Sequence, residues 1–165
     1  ISMYERAVDF LPQWGLEQYE ISNFSHPGRE CVHNQAVWMQ GEYLGVGMAA
    51  HSHLLGYRFR NPRNLPAYRQ DCSPGLEEFP GHYELRRITG EERWPEAVIL
   101  GLRLVKGIDL QQIEKRLGSP PPPAMRELLL RYQKEGCLEH EGDRWRFTPK
   151  GRLLSDNLFA ELIGF

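Results

Sequence analysis

Four of the six histidines, His26, His33, His51 and His53, fall between residues 26 and 53. The same stretch is rich in asparagine, serine, glycine and aromatic residues. Its densest polar constellation begins with Tyr19, Glu20, Ser22 and Asn23 and ends with His51 and Ser52. Between them stand Cys31, His33, Asn34, Trp38, Tyr43, Gly45 and Gly47. Imidazole is the commonest metal ligand, and the proximal ligand of many hemes. A neighbouring tryptophan can stack on a flat macrocycle. An asparagine can hydrogen-bond a carboxylate or hold an imidazole in one tautomer. The plain alternative is that these groups only satisfy loop backbone.

Other patterns are weaker. Cys31-Val32-His33 has no second ligand pair at zinc spacing. Tyr43-Leu44-Gly45-Val46-Gly47 lacks the later glycine and following helix of a phosphate-cradling turn, so a tight strand end is preferred. Arg58, Arg60 and Asn61 could hold a carboxylate, which a guanidinium fork matches bidentately. An edge strand with alternating charges is the equal alternative. The three cysteines, Cys31, Cys72 and Cys137, lie far apart and form neither a disulfide framework nor a CxxC or CxxxCxxC motif. They read as small apolar residues of a protein in a reducing, cytoplasmic setting.

Charge narrows the partners. The chain of 165 residues carries a net charge of −2. Residues 1–75 hold six basic and seven acidic side chains, and residues 76–165 hold fourteen and fifteen. Neither half has the basic surplus that attracts nucleic acid, so none is expected as a partner. No apolar run approaches the roughly 20 residues of a membrane span, and no signal-peptide pattern is present.

The elements that must position these residues differ along the chain. Met3, Ala7, Phe10 and Leu11 predict a helix over residues 2–14, ended by Pro12 and Gly15. A strand is expected at 16–22, so helix and strand form the tail of an α/β unit. Residues 23–42 read as irregular. A strand is expected at 43–46, then a hairpin of residues 51–55 and 57–60 about Gly56. A boundary is placed in the Pro/Gly-containing stretch at 72–81.

Downstream the pattern is helical. Thr89-Gly90-Glu91-Glu92 reads as a capping box for a helix with Trp94, Ala97, Val98, Gly101, Leu102 and Val105 on one face and Gly107 as its cap. Asp109 caps a helix that Gly118 stops. Pro120–Pro123 opens another, with Met125, Leu128, Leu129 and Tyr132 inward. A hairpin of residues 137–141 and 144–148 turns at Gly142-Asp143. One last helix follows Thr148-Pro149, with Leu154, Leu158 and Leu162 on a stripe. Helices and a β-hairpin in this order make a winged-helix-like module.

The segments YEISNFSHPGRECVHNQAVW, YLGVGMAAHS and YRFRN together resemble a known family. It is the radical S-adenosylmethionine proteins of the oxygen-independent coproporphyrinogen III oxidase-like type, and within it the HemW-like heme-chaperone branch. His33, Asn34 and Trp38 occupy its HNxxYW motif, with Val37 in place of the tyrosine. Ala49 stands where the family pattern YLGxGxGAHS has a glycine.

The resemblance implies an α+β fold: the tail of an incomplete α/β radical-SAM barrel with its connecting segment over residues 1–75, then a mostly helical winged-helix-like C-terminal domain over 76–165. It implies heme or porphyrin as ligand, near Trp38, with His33 as candidate iron ligand and Arg58 and Arg60 as candidate propionate partners. Tyr19, Glu20, Asn23, Tyr43, Gly45, Gly47, His51 and Ser52 are the candidate pocket lining.

The family's 4Fe-4S cluster and S-adenosylmethionine belong to a CxxxCxxC motif and barrel that this sequence does not contain. The chain begins at Ile1, so a C-terminal fragment of a longer protein is expected, without radical chemistry of its own. The missing barrel is its expected partner. An exposed apolar face at Met3, Phe10 and Trp14 is expected as well, open to self-association. The alternative function is the oxidase itself, which decarboxylates coproporphyrinogen propionates.

Overall fold

The computed structural model describes residues 2–71, 83–88 and 90–164. These divide into two compact units, one of residues 1–40 with 90–165 and one of residues 41–89. The boundary expected at 72–81, Cys72 and the Thr89 of the capping box lie outside the described residues.

In the first unit the opening apolar spacing forms helix α1 (Ser2–Phe10). A 3-10 turn, Leu11–Trp14, replaces its expected last turn. Pro12 has no N–H to continue the α-helix, and Gly15 closes the turn at φ 72°. Met3, Phe10 and Trp14 are exposed. The strand expected at 16–22 shrinks to β1 (Glu17–Gln18), paired with β2 (Phe24–Ser25). Residues 19–21 instead bond to a distant segment: Ile21 N–H donates to the Arg103 carbonyl at 2.9 Å, and Val105 N–H to the Tyr19 carbonyl at 3.0 Å. Residues 23–42 are not irregular throughout, because helix α2 (Val32–Trp38) occupies their centre.

The second unit holds the expected hairpin, β3 (His51–Leu54) and β4 (Tyr57–Arg60). Leu55 and Gly56 turn it with φ 51° and 76°, the positive pair a two-residue turn requires. Helix α3 (Leu65–Asp71) follows. Strand β5 (Tyr83–Arg87) adds to β4 and completes a three-stranded antiparallel sheet. No strand forms at 43–46. Tyr43 alone bridges to His53, and Gly47 at φ 101° turns the chain out of an extended path.

The first unit resumes with α4 (Gly90–Gly101), β6 (Ile108–Asp109) and α5 (Leu110–Leu117). Next come α6 (Pro123–Lys134), β7 (Leu138–Glu141) and β8 (Arg144–Phe147), then α7 (Pro149–Leu153) and α8 (Ser155–Ile163). The strands form one antiparallel sheet in the order β6–β8–β7. The caps of α5 hold as expected: Asp109 accepts the Gln112 N–H at 3.1 Å, and Gly118 ends the helix at φ 73°. Gly107 does not cap α4. It sits at φ 70° against β8, where an added Cβ would lie 1.9 Å from the Trp145 carbonyl oxygen. The closing helix breaks in two at Leu154, whose N–H bonds back to Gly151 at 3.1 Å. Leu154 is therefore partly exposed, and the inward stripe is Leu158, Phe159 and Leu162.

The core is built from the spacings read in the sequence. Trp94, Ala97 and Val98 of α4 meet Leu110 and Ile113 of α5, Met125 and Leu129 of α6, and Leu158 and Leu162 of α8, all buried. Trp145 and Phe147 point inward from β8 and close its sheet side. Each such side chain contributes roughly 1.5–3 kcal/mol on burial, so this cluster outweighs any single polar contact in the unit.

One polar cluster ties α6 to α8. Tyr132 Oη donates to Glu161 Oε1 at 2.7 Å, and Arg131 pairs with Glu161 Oε2. Burial, then the Glu161 hydrogen bond, pushes the Tyr132 hydroxyl up from 10.0 to about 12. A raised folded-state value stabilises below the unfolded one and is lost above it. We expect stability to fall between about pH 10 and 12, and Tyr132→Phe to flatten that loss, as read from denaturant midpoints across this range. Glu161 is lowered by the Tyr132 and then the Arg131 hydrogen bond, so its contribution disappears as pH falls through its lowered value. Gly107→Ala should destabilise by about 3 kcal/mol or more, measured by urea unfolding.

Candidate functional site

The candidate residues divide between the two units, and each group is described within its own. In the first unit α2 displays three of them. Asn34 and Trp38 are four apart and share a face, whereas His33 and Trp38 are five apart and point about 140° from one another. His33 is exposed. Asn34 Nδ2 donates to Tyr19 Oη at 3.3 Å. Trp38 carries the Arg103 guanidinium over its ring, 4.4 Å from the centroid. A cation on that face uses the ring quadrupole.

Glu20 is fully buried. Its Oε1 accepts the Ser22 N–H at 2.8 Å and Asn23 Nδ2 at 2.5 Å. Its Oε2 has no hydrogen-bond partner, and neither do the buried Trp38 Nε1 and Arg103 Nε. Buried polar atoms left unpaired are rare in folded proteins. Glu20 and Arg103 belong to the segments joined by the 19–21/103–105 backbone contacts, and Trp38 lies under the Arg103 guanidinium.

Trp38 also lines an open groove of about 310 Å³. Its apolar surface comes from Met39, Ala97, Leu104, Ile108 and Ile113. Gly101 packs so tightly on Ile108 that an added Cβ would lie 2.2 Å from its methyl group. Arg116 reaches from α5 to the end of α2, donating to the Met39 carbonyl at 2.7 Å and to Gln40 Oε1 at 2.6 Å. Burial, and then the charge of Arg93, lowers the Arg116 pKa from its ordinary value; it still stays protonated at neutral pH.

In the second unit the β3–β4 register sets His51 opposite Arg60 and His53 opposite Arg58, all on one face. Ser52 lies on the other face, opposite Phe59. Arg58 is in turn opposite Arg86 on β5. Arg60 is buried and pairs with Glu84 through Nη2, while its Nε and Nη1 have no partner. Gly45 and Gly47 are tied into their own loop. Gly45 N–H donates to Ser52 Oγ at 2.9 Å, Asn61 Nδ2 donates to both glycine carbonyls, and Gly47 N–H donates to Tyr68 Oη at 3.0 Å. These groups fold the backbone on itself rather than presenting it to a phosphate. Tyr43 stacks edge-on against His53 at 6.3 Å.

Cys31 is exposed just before α2, and Cys137 is buried in the core. Among the described residues no three His, Cys, Asp or Glu side chains gather as a metal would need. Asn61, read as a carboxylate partner, instead donates to the Gly45 and Gly47 carbonyls. Arg103, Met39, Arg116 and Tyr68 were missed as site-building residues. Their partners stand tens of residues away in the chain, and no local pattern marks them.

Residues 88–154 match the family described as the HemN C-terminal domain. A heme chaperone HemW of Bacillus subtilis is 28% identical over 98% of this chain and 42% of its own length. A heme chaperone HemW of Synechocystis is 37% identical over 67% of this chain and 26% of its own length. The chain thus spans well under half the length of these curated relatives. Among solved structures, the Escherichia coli coproporphyrinogen III oxidase HemN, described as a radical SAM enzyme, matches with a TM-score of 0.67 and 22% identity. The match covers 96% of this chain and 39% of that one, and it establishes a shared fold.

Ala49 adopts φ 59°, a left-handed conformation, at the position where the family pattern carries glycine. Ala49→Gly should raise stability by up to about 1 kcal/mol, seen as a higher denaturation midpoint. Glu20→Ala leaves the Ser22 N–H and Asn23 amide without their acceptor. It should cost about 2 kcal/mol, whereas Glu20→Gln keeps that acceptor and should cost clearly less in the same unfolding assay.

Proposed function

Because this chain belongs to the radical S-adenosylmethionine family of HemW-like heme chaperones and HemN-like coproporphyrinogen III oxidases, matching its C-terminal part, we propose that it holds heme or a porphyrin for delivery. The observation that carries this reading is Trp38. It sits at the end of the helix that also bears His33 and Asn34, and it lines an apolar groove. An indole beside an apolar groove suits a flat macrocycle. The curated relatives quoted above are named heme chaperones, which favours delivery over oxidation.

On this reading His33, on the exposed side of α2, is the iron ligand, and Asn34, held to Tyr19, fixes the helix that presents it. Arg58 and Arg60 lie on the second unit's sheet and are carboxylate candidates within that unit by itself, where Arg60 keeps Nε and Nη1 without a hydrogen-bond partner. Iron ligation is the chemistry the heme supplies. The protein's part is to orient the imidazole and shelter one edge of the ring.

The domain reading goes with the function. Residues 1–75 serve as barrel tail and connecting segment, and 76–165 as a winged-helix-like domain. The order helix, strand, two helices and a hairpin, with β6 beside β8, supports the second part. The exposed Met3, Phe10 and Trp14 support a barrel-facing surface on α1 and the 3-10 turn after it, open to the remaining barrel or to a second copy. On the same reading the 4Fe-4S cluster and S-adenosylmethionine are held by residues of the longer protein, and the setting is cytoplasmic. No described helix is long and apolar enough to cross a membrane.

Hemin titration tests the reading. The chain should bind hemin with a shifted Soret band, and His33→Ala should abolish that shift while the circular dichroism spectrum stays unchanged. An unchanged Soret shift in His33→Ala overturns His33 as ligand, and no hemin binding by the parent chain overturns the function.

A further inference from the structure

The groove beside Trp38 has a rim that the proposed function does not use. Lys106, Arg116 and Arg144 line it together with one acid, Asp109. The Asp109 carboxylate is engaged in capping α5, accepting from the Gln112 N–H at 3.1 Å and from Gln112 Nε2 at 3.2 Å. The lining thus carries a positive surplus in a chain of net charge −2, with Asp109 and Glu141 facing Arg144 across the sheet and Glu30 near Lys106. Lys106 and Arg144 are exposed, so their charged ends meet solvent and any arriving ligand. Nζ of Lys106 lies 3.9 Å from Met39 Sδ, over the apolar part. Arg116 is different, since two of its nitrogens are committed to the end of α2.

We propose that this groove binds the carboxylate-bearing edge of a flat, apolar-bodied dianion, with Lys106 and Arg144 as the carboxylate partners and Arg116 as the residue that positions the wall. The proposal rests on the heme or porphyrin reading and names the part of the molecule that is gripped. Charge complementarity commits the occupant. Apolar side chains take the ring surface, and two solvent-facing cations take carboxylates that never need full desolvation. Ligand pockets run from roughly 300 to 1,000 Å³, and a groove of about 310 Å³ is at the low end. It grips one edge and leaves the rest of a macrocycle open, as a site that passes its ligand on requires.

Metal-free protoporphyrin IX is the probe, because it carries the ring and two carboxylates without iron ligation. Its fluorescence is titrated against the parent chain and against Lys106→Glu/Arg144→Glu. The control, Arg126→Glu/Lys134→Glu, makes the same change in net charge on α6, away from the groove. The rim reversal should weaken binding by about tenfold, and the control by less than about twofold. Lys106→Gln/Arg144→Gln, which cannot repel, should fall between them and guards against a folding defect of the reversal. Equal weakening by rim and control variants overturns the groove and leaves the porphyrin reading standing. Binding of neither protoporphyrin IX nor hemin to the parent chain overturns both.

Discussion

The contact between residues 19–21 and 103–105 is the constraint on which the first unit's site depends. It joins two segments distant in sequence, so it carries a loop-closure cost that local elements do not. Two backbone hydrogen bonds form it, and together they make the antiparallel Glu20–Leu104 bridge. Ile21 packs on the core cluster from one side, and Glu20 is buried beside it. Once that contact exists, Arg103 emerges at the indole of Trp38 and Leu104 joins the groove. The site is thus assembled by a main-chain register rather than by any strong side-chain pair.

Charge in this molecule works locally. The chain is nearly balanced overall, yet its arginines do different things according to what surrounds them. Arg103 covers an aromatic face, Arg116 clamps a helix end, Arg60 is buried beside an exposed acid, and Arg131 joins Tyr132 to Glu161. Planar guanidinium groups with several fixed donors suit such roles better than lysine ammonium groups. Composition alone hides this diversity, because a count of charges contains no neighbours.

Much of the fold was legible. The three- and four-residue spacings of α4, α5, α6 and α8, the Asp109 and Gly118 caps, and the two hairpins all followed from periodicity and turn chemistry. The misreadings share a cause. Residues 16–22 read as one strand, but only two of them pair within a hairpin, and Tyr19 and Ile21 bond instead to Val105 and Arg103. Helix α2 was hidden because Val32, His33 and Asn34 are weak helix formers, and the helix forms with Trp38 packed under Arg103. Gly107 read as a helix cap, while its real constraint is a carbonyl on β8. Of the site, His33, Asn34 and Trp38 were visible as types at family spacing, but Arg103, Lys106 and Arg144 were not.

The sequence by itself determined which residues face the core, where most helices start and stop, and which family motifs are present. Those properties come from short-range periodicity, capping and residue type, and need no knowledge of distant neighbours. The tertiary structure decided that Asn34 meets Tyr19, that Trp38 lies beneath Arg103, and that the HNxxYW-like helix ends at a groove edged by Lys106 and Arg144. Each of these joins residues remote in the chain. Only the closed backbone, with its loop entropy already offset by the core, brings such groups within a few ångströms.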